Sequence, residues 1–275
     1  MSNHFVLADA QLTELTDLIN KVHGFDFSSY SKASLKRRVL RVLSNKGMQF
    51  YDLKHTLVND QSFFQWFLDE VTVNVTEMFR DPDFYKALSK QVIPYLSTYQ
   101  HIKAWSAGCS SGEEAYSLAI LLNETGLRQR SFIYGTDVNT EMLKEARRGI
   151  YSLKKIKSYA ENYQLSALKG SLTDHFTIMY DAATIHNELK HNTLFSVHNL
   201  ISDGVFNEFQ LICCRNVFIY FESPLQETIL ELFYNSLSPL GFLCMGNKEA
   251  IRSDKFKKRF KVINSRENIY QKIAV

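Results

Sequence analysis

The stretch HIKAWSAGCSSGEEAYSLAILLNETG, residues 101–126, followed by SFIYGTD, residues 131–137, decides the fold. Two short apolar runs, typical of buried strands, enclose a longer stretch with helical periodicity. NTEMLKEARRGIY, residues 139–151, then adds a second helical stretch. The order strand, helix, strand, helix predicts an α/β domain with a parallel sheet and helices on both faces.

Segments further along the chain extend this sheet. FQLICCRNVFIYF, residues 209–221, is predicted to be a central strand with its loop. SPLQETILELFYNSLS, residues 223–238, is predicted to be a helix, followed by a turn at 239–241 and the strand FLCMGN. The end of the chain, residues 256–275, alternates like a closing hairpin. HFTIMYD, ATIHNELKHN and TLFSVHN look like three crowded antiparallel strands, which predicts a small β insertion over about residues 172–198.

The N-terminal part shows helical periodicity alone. One predicted helix begins after Ser31, which can cap it, and ends at Gly47, which can take the left-handed conformation. No acidic residue lies between Asp26 and Asp52, so this helix is basic. We predict a helical domain over 1–71, a linker with a connecting helix over 72–98, and the α/β domain over 99–275.

Composition limits the classes of function. The chain has 275 residues, 45% of them hydrophobic, which is enough for a large core and a small accessory domain. Its net charge of +3 is too small to indicate nucleic-acid or membrane binding. It has neither a secretory signal nor an apolar run of about 18 residues, so we expect a cytoplasmic protein without membrane insertion. We also expect a monomer. The four cysteines lack zinc spacing, which predicts buried free thiols and no metal.

The turn after the first strand and the end of the second strand are candidate ligand sites. In an open α/β sheet, ligands bind at the carboxyl ends of the strands. The turn has a GxxxG pattern with Glu113 and Glu114 at the helix start, which suits amino and hydroxyl groups better than a pyrophosphate. Asp137 ends the second strand and can accept two ribose hydroxyls. A plain tight turn and a helix N-cap at Asp137 are the structural alternatives.

Two further segments carry polar groups. Residues 72–81 join the domains, and their Asn, Thr and Arg fit either a guanidinium beside a cleft or a capped linker. Arg215 and Asn216 leave an apolar strand, where a buried polar pair needs a ligand or another hydrogen-bonding partner. Tyr220 follows one step beyond.

Together these segments resemble the CheR family of chemotaxis receptor methyltransferases. The family pattern NxTxFFR corresponds to Asn74–Arg80 and WSAGCSTGEEPYS to Trp105–Ser117. Its acidic strand tip corresponds to Asp137, HNL to His198–Leu200, and CRNVxIYF to Cys214–Phe221. The resemblance covers the chain from about residue 10 onward. It implies a class I, Rossmann-like methyltransferase sheet with a small antiparallel β insertion, preceded by an all-helical N-terminal domain.

The resemblance also implies a cofactor and its site. The cofactor is S-adenosylmethionine, with S-adenosylhomocysteine as product, and its expected contacts are Asn74, Thr76, Arg80, Gly108, Glu113, Glu114, Asp137, Asn199, Leu200, Arg215 and Asn216. Asp137 is expected to hold the ribose, and Asn199 and Leu200 to flank the adenine. Which of the two glutamates contacts the cofactor stays open.

The implied reaction is methyl transfer to glutamate carboxylates of chemotaxis receptors. Arg80 is expected to orient the acceptor or the cofactor, and Tyr220 to lie beside the transferring methyl group. The acidic cytoplasmic helices of receptors are expected to meet Lys36, Arg37, Arg38 and Arg41, whose alternative role is that of a solvated helix face.

Departures from the family pattern leave the acceptor less certain than the chemistry. Met78 and Ala115 replace a phenylalanine and a proline without an expected effect on ligand contacts. Gly-Asn-Lys-Glu at 246–249 stands where many members have Gly-His-Ser-Glu. Two alternatives follow: a related methyltransferase with a different carboxylate acceptor, and a regulatory module that senses S-adenosylmethionine without catalysis.

Overall fold

The computed structural model describes residues 7–28, 30–71 and 76–273. The chain forms two compact units. The first comprises residues 1–74 together with the distant segment 219–226, and the second comprises residues 75–218 and 227–275.

The described N-terminal residues of the first unit form four helices, which confirms the helical periodicity of this region. They are α1 (Asp9–His23), α2 (Lys32–Lys46), α3 (Phe50–Asn59) and α4 (Gln61–Val71). The apolar stripe of α2 is buried in the core of this unit. The helix ends as predicted at Gly47, which has a φ of 61° and donates its N–H to the carbonyl of Leu43. Ser31 occupies the N-cap position, but its side chain makes no capping hydrogen bond.

The segment 219–226 joins this unit through main-chain contacts. Ser31 donates its backbone N–H to the carbonyl of Tyr220 over 2.8 Å, and Tyr30 forms an antiparallel bridge with Phe221. The rings of Tyr30 and Phe221 meet edge to face at 5.3 Å. Residues 219–226 therefore belong to the helical unit, although the residues on either side of them in sequence belong to the second unit.

The second unit contains ten strands and eight helices among its described residues. The strands are β1 (Ile102–Ala107), β2 (Ser131–Asp137), β3 (Ile150–Ser152), β4 (Phe176–Met179), β5 (Ala182–Ile185), β6 (Thr193–Val197), β7 (Phe209–Cys214), β8 (Leu237–Met245), β9 (Phe260–Asn264) and β10 (Ile269–Lys272). The helices are α5 (Pro82–Gln91), α6 (Ile93–Leu96), α7 (Glu113–Glu124), α8 (Thr140–Arg148), α9 (Leu153–Leu165), α10 (Asn187–Lys190), α11 (Ser223–Ser236), which starts within the segment of the first unit, and α12 (Asp254–Lys257).

Seven strands form one sheet in the order β6-β2-β1-β7-β8-β10-β9. The first five are parallel, and β10 and β9 close the sheet antiparallel, so both the parallel sheet and the closing hairpin are confirmed. One boundary differs, because β8 already begins at Leu237 and passes through the predicted turn at 239–241 with a register irregularity opposite β7. The carboxyl ends of β1, β2 and β7 lie side by side at one edge.

The small antiparallel sheet is present, but one of its predicted strands is wrong. Its order is β3-β5-β4, whereas TLFSV forms β6 and pairs parallel with β2 in the main sheet. The guanidinium of Arg128 donates to the carbonyl of Leu189 and to the hydroxyl of Thr193, which fixes the start of β6 beside β2. The alternation of TLFSV is compatible with a strand of the small sheet and with an edge strand of the main sheet, and it does not reveal the long-range contact with Arg128.

The core of the second unit is apolar and contains the cysteines. Cys109, Cys213, Cys214 and Cys244 are all buried and free, as predicted. Within the described residues, no helix is long and apolar enough to cross a membrane. In the same part of the chain, no cluster of three or more His, Cys, Asp or Glu side chains could hold a metal ion.

Candidate active site

The turn between β1 and α7 folds back onto the end of β2. Gly108 and Cys109 donate their N–H groups to the carbonyl of Thr136 over 2.8 and 2.9 Å. Gly112 has a φ of 90°, and a Cβ there would lie 2.9 Å from the Cβ of Ala146 on α8. Glycine is therefore required both for the backbone conformation and for the close approach of α8. The tight-turn interpretation is correct, and the turn lies at the carboxyl edge of the sheet.

Asp137 receives main-chain hydrogen bonds from both sides. Its Oδ2 accepts from the N–H of Ser110 over 2.8 Å, and its Oδ1 accepts from the N–H of Asn139 over 2.9 Å. Burial raises the pKa of this carboxyl, although the two backbone donors oppose the shift. Because a carboxylate offers about four acceptor positions, each oxygen keeps capacity for another donor.

The helix cap of α8 is Asn139 and not Asp137. The side-chain oxygen of Asn139 accepts from the N–H groups of Glu141 and Met142, each over 3.0 Å. The N-cap alternative for Asp137 is therefore wrong, and the acceptor capacity of its carboxylate remains for a ligand.

Glu113 is fully buried and surrounded by protein donors. Its Oε1 accepts from the hydroxyl of Tyr159 over 2.9 Å and lies 3.4 Å from Nζ of Lys155. Its Oε2 accepts from the hydroxyl of Ser111 over 2.7 Å. These contacts direct Glu113 toward α9.

Glu114 is the glutamate that lies among the strand ends. Its Oε1 accepts from the hydroxyl of Ser106, the penultimate residue of β1, over 2.8 Å. Its Oε2 lies 3.5 Å from Nη1 of Arg215, which follows β7. Burial raises the pKa of the Glu114 carboxyl, while the positive charge of Arg215 opposes the shift.

Arg215 is the centre of a buried polar junction. Its Nη2 donates to the carbonyl of Arg80 over 3.0 Å and to Oδ2 of Asp81 over 2.7 Å. The guanidinium also stacks on the ring of Phe84, 4.0 Å from its centroid. The turn that precedes α5 thus supplies hydrogen-bonding partners for this buried arginine, as the sequence predicted. Its Nε is buried and has no protein partner.

The turn at Thr76–Asp81 has two strained residues. Phe79 and Asp81 have φ angles of 53° and 58°, a left-handed backbone conformation that residues other than glycine adopt at a cost in free energy. The N–H of Phe79 donates to the hydroxyl of Ser117, which holds the turn against α7. Thr76 and Arg80 are half-buried here. Asn74 lies outside the described residues.

Asn216 is held by a residue that the sequence-based site did not include. Its N–H donates to Oε2 of Glu249 over 2.6 Å, and the same oxygen accepts from the N–H of Gly246 over 2.7 Å. Asn216 itself has a φ of 63°. Glu249 therefore joins the ends of β7 and β8. The Gly-Asn-Lys-Glu segment was the available signal, but the residues that depart from the family pattern are Asn247 and Lys248, which are both exposed.

The segment after β6 lies beside the tip of β2. His198 donates its N–H to the carbonyl of Asp137 over 3.3 Å, and the following Asn199 and Leu200 are half-buried and buried. The side-chain oxygen of Asn199 accepts from the N–H of Ile201, which shapes a local turn. The second unit thus brings its predicted residues to one edge of the sheet, except for Glu113.

The remaining predicted residues belong to the first unit. On α2, Arg37 and Arg41 are exposed, whereas Lys36 forms an ion pair with Asp9 and Arg38 is half-buried, with Nη1 3.5 Å from the carbonyl of Glu70. The prediction that Arg38 shares a solvated face is therefore only partly right. Tyr220 is half-buried within the segment 219–226.

Comparison with known proteins identifies the family. Residues 74–269 match the family described as the S-adenosylmethionine binding domain of CheR methyltransferases, and residues 10–72 match the CheR all-alpha domain. The chain belongs to the CheR methyltransferase family. Its cofactor is S-adenosylmethionine.

Similar proteins match this CheR chain over nearly its whole length. A provisionally named methyltransferase of Pseudomonas putida, Cher3, is 40% identical over 265 residues, which are 96% of this chain and 97% of that protein. The chemotaxis protein methyltransferase of Listeria innocua is 32% identical over 239 residues, 86% of this chain and 88% of its own. That of Salmonella typhimurium is 29% identical over 257 residues, 90% and 86% respectively.

The donor set of this CheR chain fits the cofactor. S-adenosylmethionine carries two ribose hydroxyls and an amino group that need acceptors, and a carboxylate that needs donors. Asp137 and Glu114 supply acceptors at adjacent strand ends, and the buried Nε of Arg215 is a donor without a protein partner. The chemistry of these side chains therefore agrees with the family.

Proposed function

We propose that this protein transfers the methyl group of S-adenosylmethionine to glutamate side chains of chemoreceptors and forms methyl esters. The observation that carries the proposal is the position of two carboxylates, each oriented by protein donors: Asp137 ends β2, and Glu114 on α7 accepts from Ser106 near the end of the neighbouring β1. This arrangement supports a nucleoside with hydroxyl and amino groups at the carboxyl edge of a parallel sheet.

The cofactor contacts follow from this arrangement together with the family resemblance. Asp137 holds the ribose, Asn199 and Leu200 flank the adenine, and Glu114 and Arg215 lie toward the methionine portion. Asn74, Thr76, Arg80, Gly108 and Asn216 complete the proposed contacts. Glu113 is left out of this set, because its contacts with Tyr159 and Lys155 direct its side chain toward α9.

The acceptor requires positioning more than activation. The bound cofactor supplies an electrophilic methyl group on a sulfonium. A glutamate carboxylate with its usual pKa is already ionised at neutral pH, so no general base is needed. The protein must remove water from this carboxylate and align it, and alignment alone can supply most of the acceleration.

Arg80 and Tyr220 are the proposed catalytic residues. The Arg80 carbonyl is fixed by Arg215, which limits the motion of the backbone that bears the Arg80 guanidinium. We assign Arg80 to the orientation of the acceptor carboxylate or the cofactor. The assignment of Tyr220 to a position beside the transferring methyl group rests on the family resemblance alone. Arg80→Ala and Tyr220→Phe are expected to slow turnover far more than they weaken cofactor binding.

Two arguments support chemoreceptors as acceptors. The similar proteins of Listeria innocua and Salmonella typhimurium are chemotaxis protein methyltransferases. In addition, Arg37 and Arg41 stand exposed on one face of α2, four residues apart, in a segment without acidic residues. Such a face attracts the acidic helices that surround receptor methylation sites. The monomeric state and the cytoplasmic location stay predictions.

One experiment separates this function from its alternatives. The purified protein is incubated with methyl-labelled S-adenosylmethionine and receptor-rich membranes, and with receptor-depleted membranes as the control. Alkali-labile label that is released as methanol and depends on receptors is the expected result. Esters in both membrane samples would indicate another carboxylate acceptor, and cofactor binding without any ester would indicate a sensing module.

A further inference from the structure

Helix α9 contacts two segments of the proposed cofactor site: the start of α7 and the turn at Thr76–Asp81. No residue of α9 was among the predicted site residues. The hydroxyl of Tyr159 donates to Oε1 of Glu113 at the start of α7 over 2.9 Å. Three residues further along the same face, Nδ2 of Asn162 donates to the carbonyl of Met78 over 3.1 Å. One helix face therefore holds the turn before α7 and the turn at Thr76–Asp81.

The contact between Tyr159 and Glu113 is strong because both groups are out of solvent. Glu113 has no exposed surface, so its carboxylate depends on protein donors for the hydrogen bonds that water would otherwise provide. Burial and the nearby Glu113 raise the pKa of Tyr159, so its hydroxyl keeps its proton and donates. A hydrogen bond to a charged acceptor is worth more than one between neutral groups.

A continuous series of contacts runs from this pair to the ribose-binding carboxylate. The other oxygen of Glu113 accepts from the Ser111 hydroxyl over 2.7 Å, and the Ser111 carbonyl accepts from the hydroxyl of Tyr151 on β3 over 3.0 Å. Ser111 is thus held at its side chain and at its carbonyl. The preceding Ser110 donates its N–H to Oδ2 of Asp137 over 2.8 Å.

We propose that Tyr159 is a positioning residue for S-adenosylmethionine, which acts through Glu113 and Ser111 on the orientation of Asp137. Loss of the Tyr159 hydroxyl leaves Glu113 with a buried oxygen that has only the long contact to Lys155, so the turn at Ser110–Ser111 rearranges and Asp137 loses its alignment. The inference rests on the proposed contact of Asp137 with the cofactor, but it does not depend on the acceptor.

The chain offers a matched control on the same helix. Tyr163 lies one turn beyond Tyr159 and is also buried. Its hydroxyl donates to Oε1 of Glu124 over 2.7 Å, at the opposite end of α7 from Glu113. Tyr159→Phe and Tyr163→Phe therefore remove the same atom from the same helix, and each removes a hydrogen bond to a glutamate of α7. The two variants differ in the position of that glutamate on α7. Glu113 is the first residue of α7, next to the turn after β1, and Glu124 is the last.

The test is calorimetric titration of the full-length protein with S-adenosylmethionine and with S-adenosylhomocysteine. Tyr159→Phe is expected to weaken both ligands roughly tenfold, and Tyr163→Phe to leave both affinities unchanged, with thermal unfolding recorded for each variant. In steady-state methylation, Tyr159→Phe raises KM for the cofactor and leaves kcat at saturating cofactor unaltered.

A double-mutant cycle with Glu113→Gln tests the route of the effect. In the Glu113→Gln protein, Tyr159→Phe should weaken binding by much less than in the wild type, because the charged acceptor is gone. Equal affinity of Tyr159→Phe and wild type, or equal weakening by the two tyrosine variants, overturns the inference. If the wild-type protein binds neither ligand, the proposed function itself fails.

Discussion

Nη2 of Arg215 donates to Oδ2 of Asp81 over 2.7 Å and thereby joins the end of β7 to the turn before α5. The side chain of Arg215 is only 1% exposed, and that of Asp81 is 31% exposed. Asp81 also has a φ of 58°, so a strained backbone is held in place by a buried guanidinium. Two segments separated by more than a hundred residues in sequence depend on this pair for their relative position.

Replacement of Asp81 by asparagine keeps the shape of the side chain and removes its charge. We expect the free energy of unfolding to fall by about 1–3 kcal/mol, because Arg215 keeps its charge while it loses a charged partner. Asp83→Asn is the control, since Asp83 is exposed and pairs with Lys86 on the protein surface, and it should have no measurable effect. Urea unfolding of the ligand-free protein measures both, and equal stability of the two variants would contradict the role of the pair.

Asp137 and Asn139 have separable roles, which a second pair of variants tests. Asp137→Ala is expected to weaken S-adenosylmethionine on the order of a hundredfold, because two hydrogen bonds to a charged acceptor are lost. Asn139→Ala removes the cap of α8 and should lower the free energy of unfolding by about 1 kcal/mol without a change in cofactor affinity. Calorimetric titration and thermal unfolding measure the two effects. An undiminished affinity in Asp137→Ala would refute the ribose assignment.

Glu114 gives the stability of the ligand-free protein an uncommon pH dependence. Burial raises the pKa of its carboxyl in the folded protein, and unfolding returns it to the usual value of 4.5. Between these two pKa values the folded protein binds more protons than the unfolded chain, so this group adds stability as pH falls through the raised pKa.

Glu114→Gln removes this titration and serves as the reference. The stability of the wild type relative to this variant should rise as pH is lowered from neutral toward 4.5, and should be constant above the raised pKa. Urea unfolding at a series of pH values measures the difference. If the stability difference between the two proteins falls as the pH is lowered, then the charge of Arg215 lowers the pKa of Glu114 by more than burial raises it.

The sequence predicted the parts of the fold that local pattern determines. The strands β1, β2 and β7 and the helices of the first unit follow from periodicity and turn residues. The membership of β6 in the main sheet does not follow from local pattern, because it depends on long-range contacts of Arg128 with Leu189 on α10 and with Thr193 at the start of β6. The short strand β3 has only three residues, too few for a recognisable alternation.

The site shows the same division. Motif order predicted that Asp137, Glu114 and Arg215 share one edge of the sheet. Spacing alone did not distinguish Glu114 from Glu113, since the partners of Glu113 include residues of α9, more than forty residues away. The role of Glu249 is not predictable from sequence for a related reason. It accepts two backbone N–H groups, which every residue except proline carries and which therefore leave no signature in the sequence.

The exposed basic face of α2 leads to the last prediction. Arg37 and Arg41 are exposed, whereas Lys36 and Arg38 are engaged with other residues of the first unit. The double variant Arg37→Glu and Arg41→Glu should therefore raise KM for receptors severalfold, more strongly at low ionic strength, while stability and cofactor affinity stay unchanged. Lys21→Glu, which reverses an exposed charge on α1, is the control and should leave KM unaltered. Receptor methylation assayed over a range of salt concentrations decides the point: if the double variant and the control have the same KM, this face of α2 is solvated and has no part in receptor recognition.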